Sequence, residues 1–124
     1  MTTINFDPTG SPGRSYGSTM VDVTASGTTQ GGATEIPNAT GWTVAVIATT
    51  STDKAVKLPA DAEIGDFVEC HCLDGGNNPA FLFTSSGSEN INGHPSTAYT
   101  AIRNGGRLFR KLSTSLWVYL GPDE

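Results

Sequence analysis

The stretch that decides the fold runs from Ala60 to Ser86, ADAEIGDFVECHCLDGGNNPAFLFTSS. Side chains alternate along a strand. Phe67, Glu69, His71 and Leu73 therefore share one face, and Val68, Cys70 and Cys72 share the other. Asp74–Pro79 supplies turn chemistry: two glycines that accept positive φ and a proline that ends regular pairing. Ala80–Thr84 is apolar and aromatic, the composition of a return strand. The stretch thus predicts a central hairpin, and no residue in it forms a catalytic pattern.

Working outward, the chain carries more strands of the same kind. Trp42–Thr50 (WTVAVIATT) has Trp42, Val44 and Val46 on one face and Thr43, Ala45 and Ile47 on the other. Both faces are largely apolar, which predicts a central or sandwiched strand. Ser51–Lys54 turns, and Ala55–Leu58 directs Val56 and Leu58 inward before Pro59 stops it. A loop over Ser85–Pro95 is pinned by Ile91 and carries the Asn92-Gly93 turn pair. Thr97–Arg103 and Arg107–Leu112 flank Asn104–Gly106, the strongest hairpin signal in the chain. Leu116–Leu120 (LWVYL) closes the domain. Roughly seven strands with short loops predict an all-β domain over 42–124, a small antiparallel β-barrel or sandwich.

Composition agrees. The 124 residues include 15 glycines and 7 prolines, only 15% are charged, and helix-forming residues are scarce. Residues 1–41 read differently. They are rich in Gly, Ser and Thr, and within them only Met20–Thr24 resembles a strand. Such a segment buries too little apolar area to fold alone. Two readings stay open: a flexible tail in solution, or the favoured one, an extended N-terminal arm that gains order along a partner, with Phe6 and Tyr16 as anchors and Arg14 as its one basic residue.

The net charge of −5 argues against a nucleic-acid surface. No apolar run reaches the roughly 20 residues that cross a bilayer, so no membrane partner is expected. The start, MTTINFDPTG, has neither a basic nor an apolar leader region, which points to synthesis in a cytoplasm. Two cysteines do not make a disulfide framework. Cys70 and Cys72 sit side by side on one strand face, where parallel Cβ vectors disfavour a bond. They are expected as free thiols, in a core or at a subunit contact.

Several constellations invite chemistry. His71 lies between the cysteines, but alternation turns it away from both, so the three cannot converge on one metal ion. Asp61, Glu63, Asp66 and Glu69 are acidic neighbours whose spacing fits no calcium loop. They read as solvated surface or an interface rim. Arg103, Arg107, Arg110 and Lys111 form the one basic patch, which with Tyr99, Phe109 and Trp117 could bind a glycan or a strand of nucleic acid but is expected instead to pair with the acidic cluster of a neighbouring subunit. Arg103, Arg107 and Arg110, with Cys70, Cys72 and Trp117, are the candidate subunit-interface residues. The pairs Gly31-Gly32, Gly75-Gly76 and Gly105-Gly106 match no phosphate loop, and no serine stands in a nucleophile elbow. No catalytic residue, metal or cofactor is assigned. The six large aromatics Trp42, Phe81, Phe83, Phe109, Trp117 and Tyr119 exceed what a small core absorbs, which points to oligomerisation.

Val56–Pro59, Ile64–His71, Ala80–Phe83, the SENING loop at Ser88–Gly93 and the final strand with Trp117 resemble small β-domains of tailed-bacteriophage virion proteins. These include capsid decoration, or cement, proteins, and head-fibre and tail-fibre proteins. The resemblance covers roughly Lys54–Leu120 and marks Leu58, Pro59, Gly65, Asp66, Val68, Ile91, Asn92, Gly93 and Trp117 as scaffold positions. It implies a structural protein of the virion surface, made in the bacterial cytoplasm. Such a protein binds the major capsid protein and bridges capsomers, with Phe6, Arg14 and Tyr16 as arm contacts to the shell. Shell proteins meet at three-fold points, so a homotrimer follows. Two alternatives stay open. One is a fibre or spike module that contacts a host receptor, although the sequence shows no shaft repeat. The other is a small carbohydrate-binding β-domain, which is favoured if Trp42 or Trp117 is exposed beside carboxylates.

Overall fold

The computed structural model describes residues 17–39, 41–52, 54–92, 99–103 and 105–120. Ten strands and no helix occur among them. The strands are β1 (Thr19–Thr24), β2 (Thr34–Glu35), β3 (Trp42–Ala48), β4 (Ala55–Lys57) and β5 (Phe67–Cys72) in the first half. They continue with β6 (Ala80–Phe83), β7 (Asn90–Ile91), β8 (Tyr99–Ile102), β9 (Arg107–Ser113) and β10 (Leu116–Tyr119). The all-β class expected from composition is present.

The architecture is a stack of coils rather than an antiparallel barrel. One sheet has the order β1-β3-β5-β9-β10-β7 and the other β2-β4-β6-β8. From β1 to β6 the chain alternates between the sheets. Strands β1, β3 and β5 pair in parallel in one sheet, and β2, β4 and β6 in the other. Each coil takes roughly 25 residues, as Thr19 pairs with Thr43 and Trp42 with Phe67, a spacing typical of stacked repeats. Direction then reverses: β8 lies antiparallel on β6, β9 on β5 and β10 on β9. The repeat is structural and leaves no repeated letters. Its inward columns read Val21–Ala45–Cys70 and Val23–Ile47–Cys72.

Two predicted hairpins are corrected by this topology. Strands β5 and β6, joined by the loop at residues 73–79, lie in different sheets, and so do β8 and β9 on either side of the N-G-G turn. The loop between β5 and β6 is a corner held by its own side chains. The Asp74 carbonyl accepts from the Asn77 and Asn78 amides at 3.1 and 2.7 Å. Its carboxylate accepts from the Asn77 and Asn78 side chains at 3.2 and 2.7 Å. Thr49 Oγ1 donates to the Asn78 carbonyl at 2.7 Å, tying the corner to the coil before it. Among the described residues only β9 and β10 make a hairpin of adjacent strands, with a register shift between Leu116 and Trp117.

The expected arm over 1–41 is also corrected in its second half. Strand β1 pairs along all six residues with β3, and β2 joins β4. Val23, Ala25, Ala33 and Ile36 are buried. Their few apolar side chains suffice because each coil rests on a preformed neighbour, which supplies the rest of the burial. The arm contacts Phe6, Arg14 and Tyr16 lie outside the described residues, as do His94, Gly93 of the turn pair, and the chain end over 121–124.

A single core fills the space between the sheets. The six-stranded sheet contributes Ala45, Ile47, Val68, Cys70, Phe109 and Trp117, and the other Val56, Leu82 and Ile102. Fully burying one such aliphatic or aromatic side chain is worth about 1.5–3 kcal/mol. Strand β3 is central in its sheet, flanked by β1 and β5, but it is not sandwiched between layers, since Trp42 on its outward face is exposed. Thr43, Ala45 and Ile47 point into the core, while Trp42 and Val46 face out.

Candidate functional site

Several polar side chains hold the scaffold: Asp66 and Asn92, which the sequence singles out, and Glu89, which it does not. Glu89 is buried, yet both its oxygens are used. Trp117 Nε1 donates to Oε1 at 3.1 Å and Ser85 Oγ to Oε2 at 2.9 Å. Buried Lys111 sits on the same indole, its Nζ 5.8 Å from the ring centroid. Asp66 Oδ2 accepts from the Glu63 amide at 2.8 Å and from Asn38 Nδ2 at 3.4 Å, closing the turn that launches β5. The Gly65 amide donates to the Lys111 carbonyl at 2.7 Å, so this turn is bound to β9. Asn92 takes a left-handed φ of 52°. Its amide donates to the Trp117 carbonyl at 2.8 Å, and its Oδ1 accepts from the Tyr119 amide at 2.6 Å. Leu58, Pro59, Val68, Ile91 and Trp117 are all buried.

Two candidate interface residues are corrected here. Cys70 and Trp117 are fully enclosed by their own chain, which leaves neither any surface to offer a partner. The sequence underestimated how completely the second sheet covers the first. Cys70 is a free thiol whose ionisation burial pushes far above its ordinary 9.0, with the Glu69 charge acting in the same direction. Cys72, also free, is half-buried at the edge of the core, its Sγ 3.5 Å from the Asn78 carbonyl. With Trp117 enclosed, Trp42 alone meets the exposure condition for a glycan surface.

The basic patch divides. Lys111 points into the core. Arg107 folds back on the Gly105 and Gly106 carbonyls at 3.2 and 3.3 Å and lies 5.9 Å from the Tyr119 ring. Arg103 is exposed beyond β8. Arg110 faces outward and stacks on Phe67, with its guanidinium carbon 4.9 Å from the ring centroid. Of the acids, Asp61 and Glu63 are exposed, and Glu69 is engaged by His71, Nε2 to Oε2 at 2.5 Å. The His71 ring occupies the space over Gly106, where a Cβ would collide with Cε1.

One surface emerges that the sequence reading missed. The outward side of the six-stranded sheet is built in cross-strand rows. The lowest is Trp42–Phe67–Arg110–Val118, and the next is Met20–Val44–Glu69–Leu108. Leu120 extends that second row, its amide donating to the Leu108 carbonyl at 2.8 Å. The third row is Asp22–Val46–His71. Met20 is 69% exposed, Leu120 48%, Leu112 47% and Trp42 37%, and Leu73 at the upper rim is 72% exposed. Five of the six large exposed apolar side chains among the described residues therefore stand on or beside this one face. The signal was present as the outward phase of each alternation, but only the strand order gathers those phases into one patch.

Comparison of the chain with protein-family models, with curated proteins and with solved structures gives no match.

Proposed function

We propose that the chain is a structural virion protein rather than an enzyme. It binds the outside of a phage capsid and bridges neighbouring capsomers, acting as a homotrimer on the major capsid protein after synthesis in the bacterial cytoplasm. The observation that carries this reading is the use made of the polar side chains. Glu89, Asp66, Asp74 and Asn92 each spend their oxygens on holding a turn or a tryptophan of the fold. Among the described positions that carry the resemblance to cement proteins, Asp66, Asn92 and Trp117 have that same structural role. A rigid two-sheet stack is suited to this work, because its contribution is buried area across a seam. Mass action then makes the occupied shell harder to open.

The test is retention on empty phage shells. Protein mixed with expanded shells should co-sediment and saturate at a fixed number of copies per capsomer. Decorated shells should then withstand more heat or chaotrope before opening. Free protein left wholly in the supernatant sinks the capsid reading.

A second reading is favoured by one observation. The coils of β1 to β6 repeat at a near-constant spacing, a geometry suited to a fibre or spike shaft. Adsorption to host cells with no retention on shells would select it.

A further inference from the structure

We infer that the outward face of the six-stranded sheet is where neighbouring copies of this chain meet, three faces turned toward a common axis. The trimer number rests on the capsid reading above; the contact itself does not. Five strands spaced about 4.8 Å apart, each about six residues at about 3.3 Å, present a face about 25 Å by 20 Å. That is an open, wide face, the shape of a protein contact rather than a small-ligand cleft.

Charge selects another copy as the occupant. On the β1 half of the face the charged side chain is Asp22, exposed in the outermost strand. On the β9 half it is Arg110, also exposed. Between them Glu69 and His71 engage one another. Each copy thus carries an acidic, bulky half with Met20 and Trp42 and a basic, aliphatic half with Leu108, Val118 and Leu120. The two halves complement each other between copies, not within one. Within a chain, Asp22 and Arg110 stand on strands separated by β3 and β5. A contact that joins unlike halves is heterologous, and it closes into a ring when the rotation fits. Packed this way, the three faces exclude water from Met20, Trp42 and Leu120.

The test uses the full chain in sedimentation velocity over a concentration series, with acrylamide quenching as a second readout. The two tryptophans report separately, because Trp117 is enclosed in the core and Trp42 lies on the face. Wild type should sediment as a trimer with both tryptophans shielded. Met20→Lys with Leu120→Lys should raise the dissociation midpoint by about tenfold or more, exposing Trp42 while Trp117 stays shielded. Asp22→Arg alone should weaken assembly, and adding Arg110→Asp in the same chain should restore it. Wild type that remains monomeric at every concentration, or that forms a two-fold dimer, overturns the proposal. So does a trimer indifferent to all these substitutions. None of these results bears on shell retention, which is read separately with empty capsids.

Discussion

Asn92 shows how much one side chain does in this fold. It accepts positive φ, a conformation that costs most side chains free energy and costs asparagine less, and its Oδ1 anchors the last strand at Tyr119. Asn92→Gly removes the hydrogen bond but keeps the backbone, so it should cost about 1 kcal/mol. Asn92→Ala adds backbone strain and should cost about 1 kcal/mol more. Denaturant unfolding of the two variants separates the terms, and equal losses would show that φ is not the issue. Cys70 makes a prediction in pH. Its thiol binds a proton more tightly folded than unfolded, so its contribution to stability is complete below the ordinary thiol pKa. That contribution declines as pH rises above about 9, by about 1.4 kcal/mol per pH unit. Cys70→Ala should flatten this alkaline decline, whatever it costs at neutral pH. A decline of unchanged slope would assign it to other groups. In thiol labelling, Cys72 should react before Cys70.

At the scale of the element, the corner between β5 and β6 is the instructive case. D-G-G-N-N-P has the chemistry of a hairpin turn, and both flanking stretches are good strands. Turn residues specify that the chain bends, but not whether the next strand pairs back or crosses to another layer. The choice is made by distant partners: Cys70 finds Ala45 in register, and Leu82 finds Val56. The same holds for the N-G-G turn between β8 and β9. The corner is maintained by Asp74, so Asp74→Ala should loosen it at a cost of about 1–2 kcal/mol. It should leave the strand pairing intact, since no ladder bond depends on the carboxylate. Calorimetry measures the loss, and a spectrum of backbone amides checks the pairing; a change of register would refute this account.

For the whole molecule, the stack makes stability a matter of neighbours. Each coil is supported by the one beside it, and β3 with β5 lies between supports on both sides. Amide exchange should therefore be slowest in β3 and β5, faster in β1, and fastest in the two-residue β7 at the far edge. Uniform protection across the sheet would mean that the coils open only together. The outward apolar face belongs to this scale as well, because it exists only once β1, β3, β5, β9 and β10 stand in that order.

Local alternation and turn residues are enough for the all-β class, most strand positions, and the sharing of a face along a strand, as with Val68 and Cys70 on one side of β5 and Glu69 and His71 on the other. The sequence also marks Ile91, an apolar side chain in a polar loop, as a residue that pins that loop, whereas Trp117 reads as an interface candidate and is marked as scaffold only by the resemblance. Which strands become neighbours is settled by packing across the whole chain. Parallel pairing joins residues roughly 25 positions apart, and nothing local distinguishes that partner from the strand next in line. From that decision follow the coil repeat, the inclusion of residues 19–36 in the sheets, and the burial of Trp117. So does the gathering of Met20, Trp42 and Leu120 on one face. Burial and adjacency are properties of the packed sheets, and a single strand's letters carry only half of each.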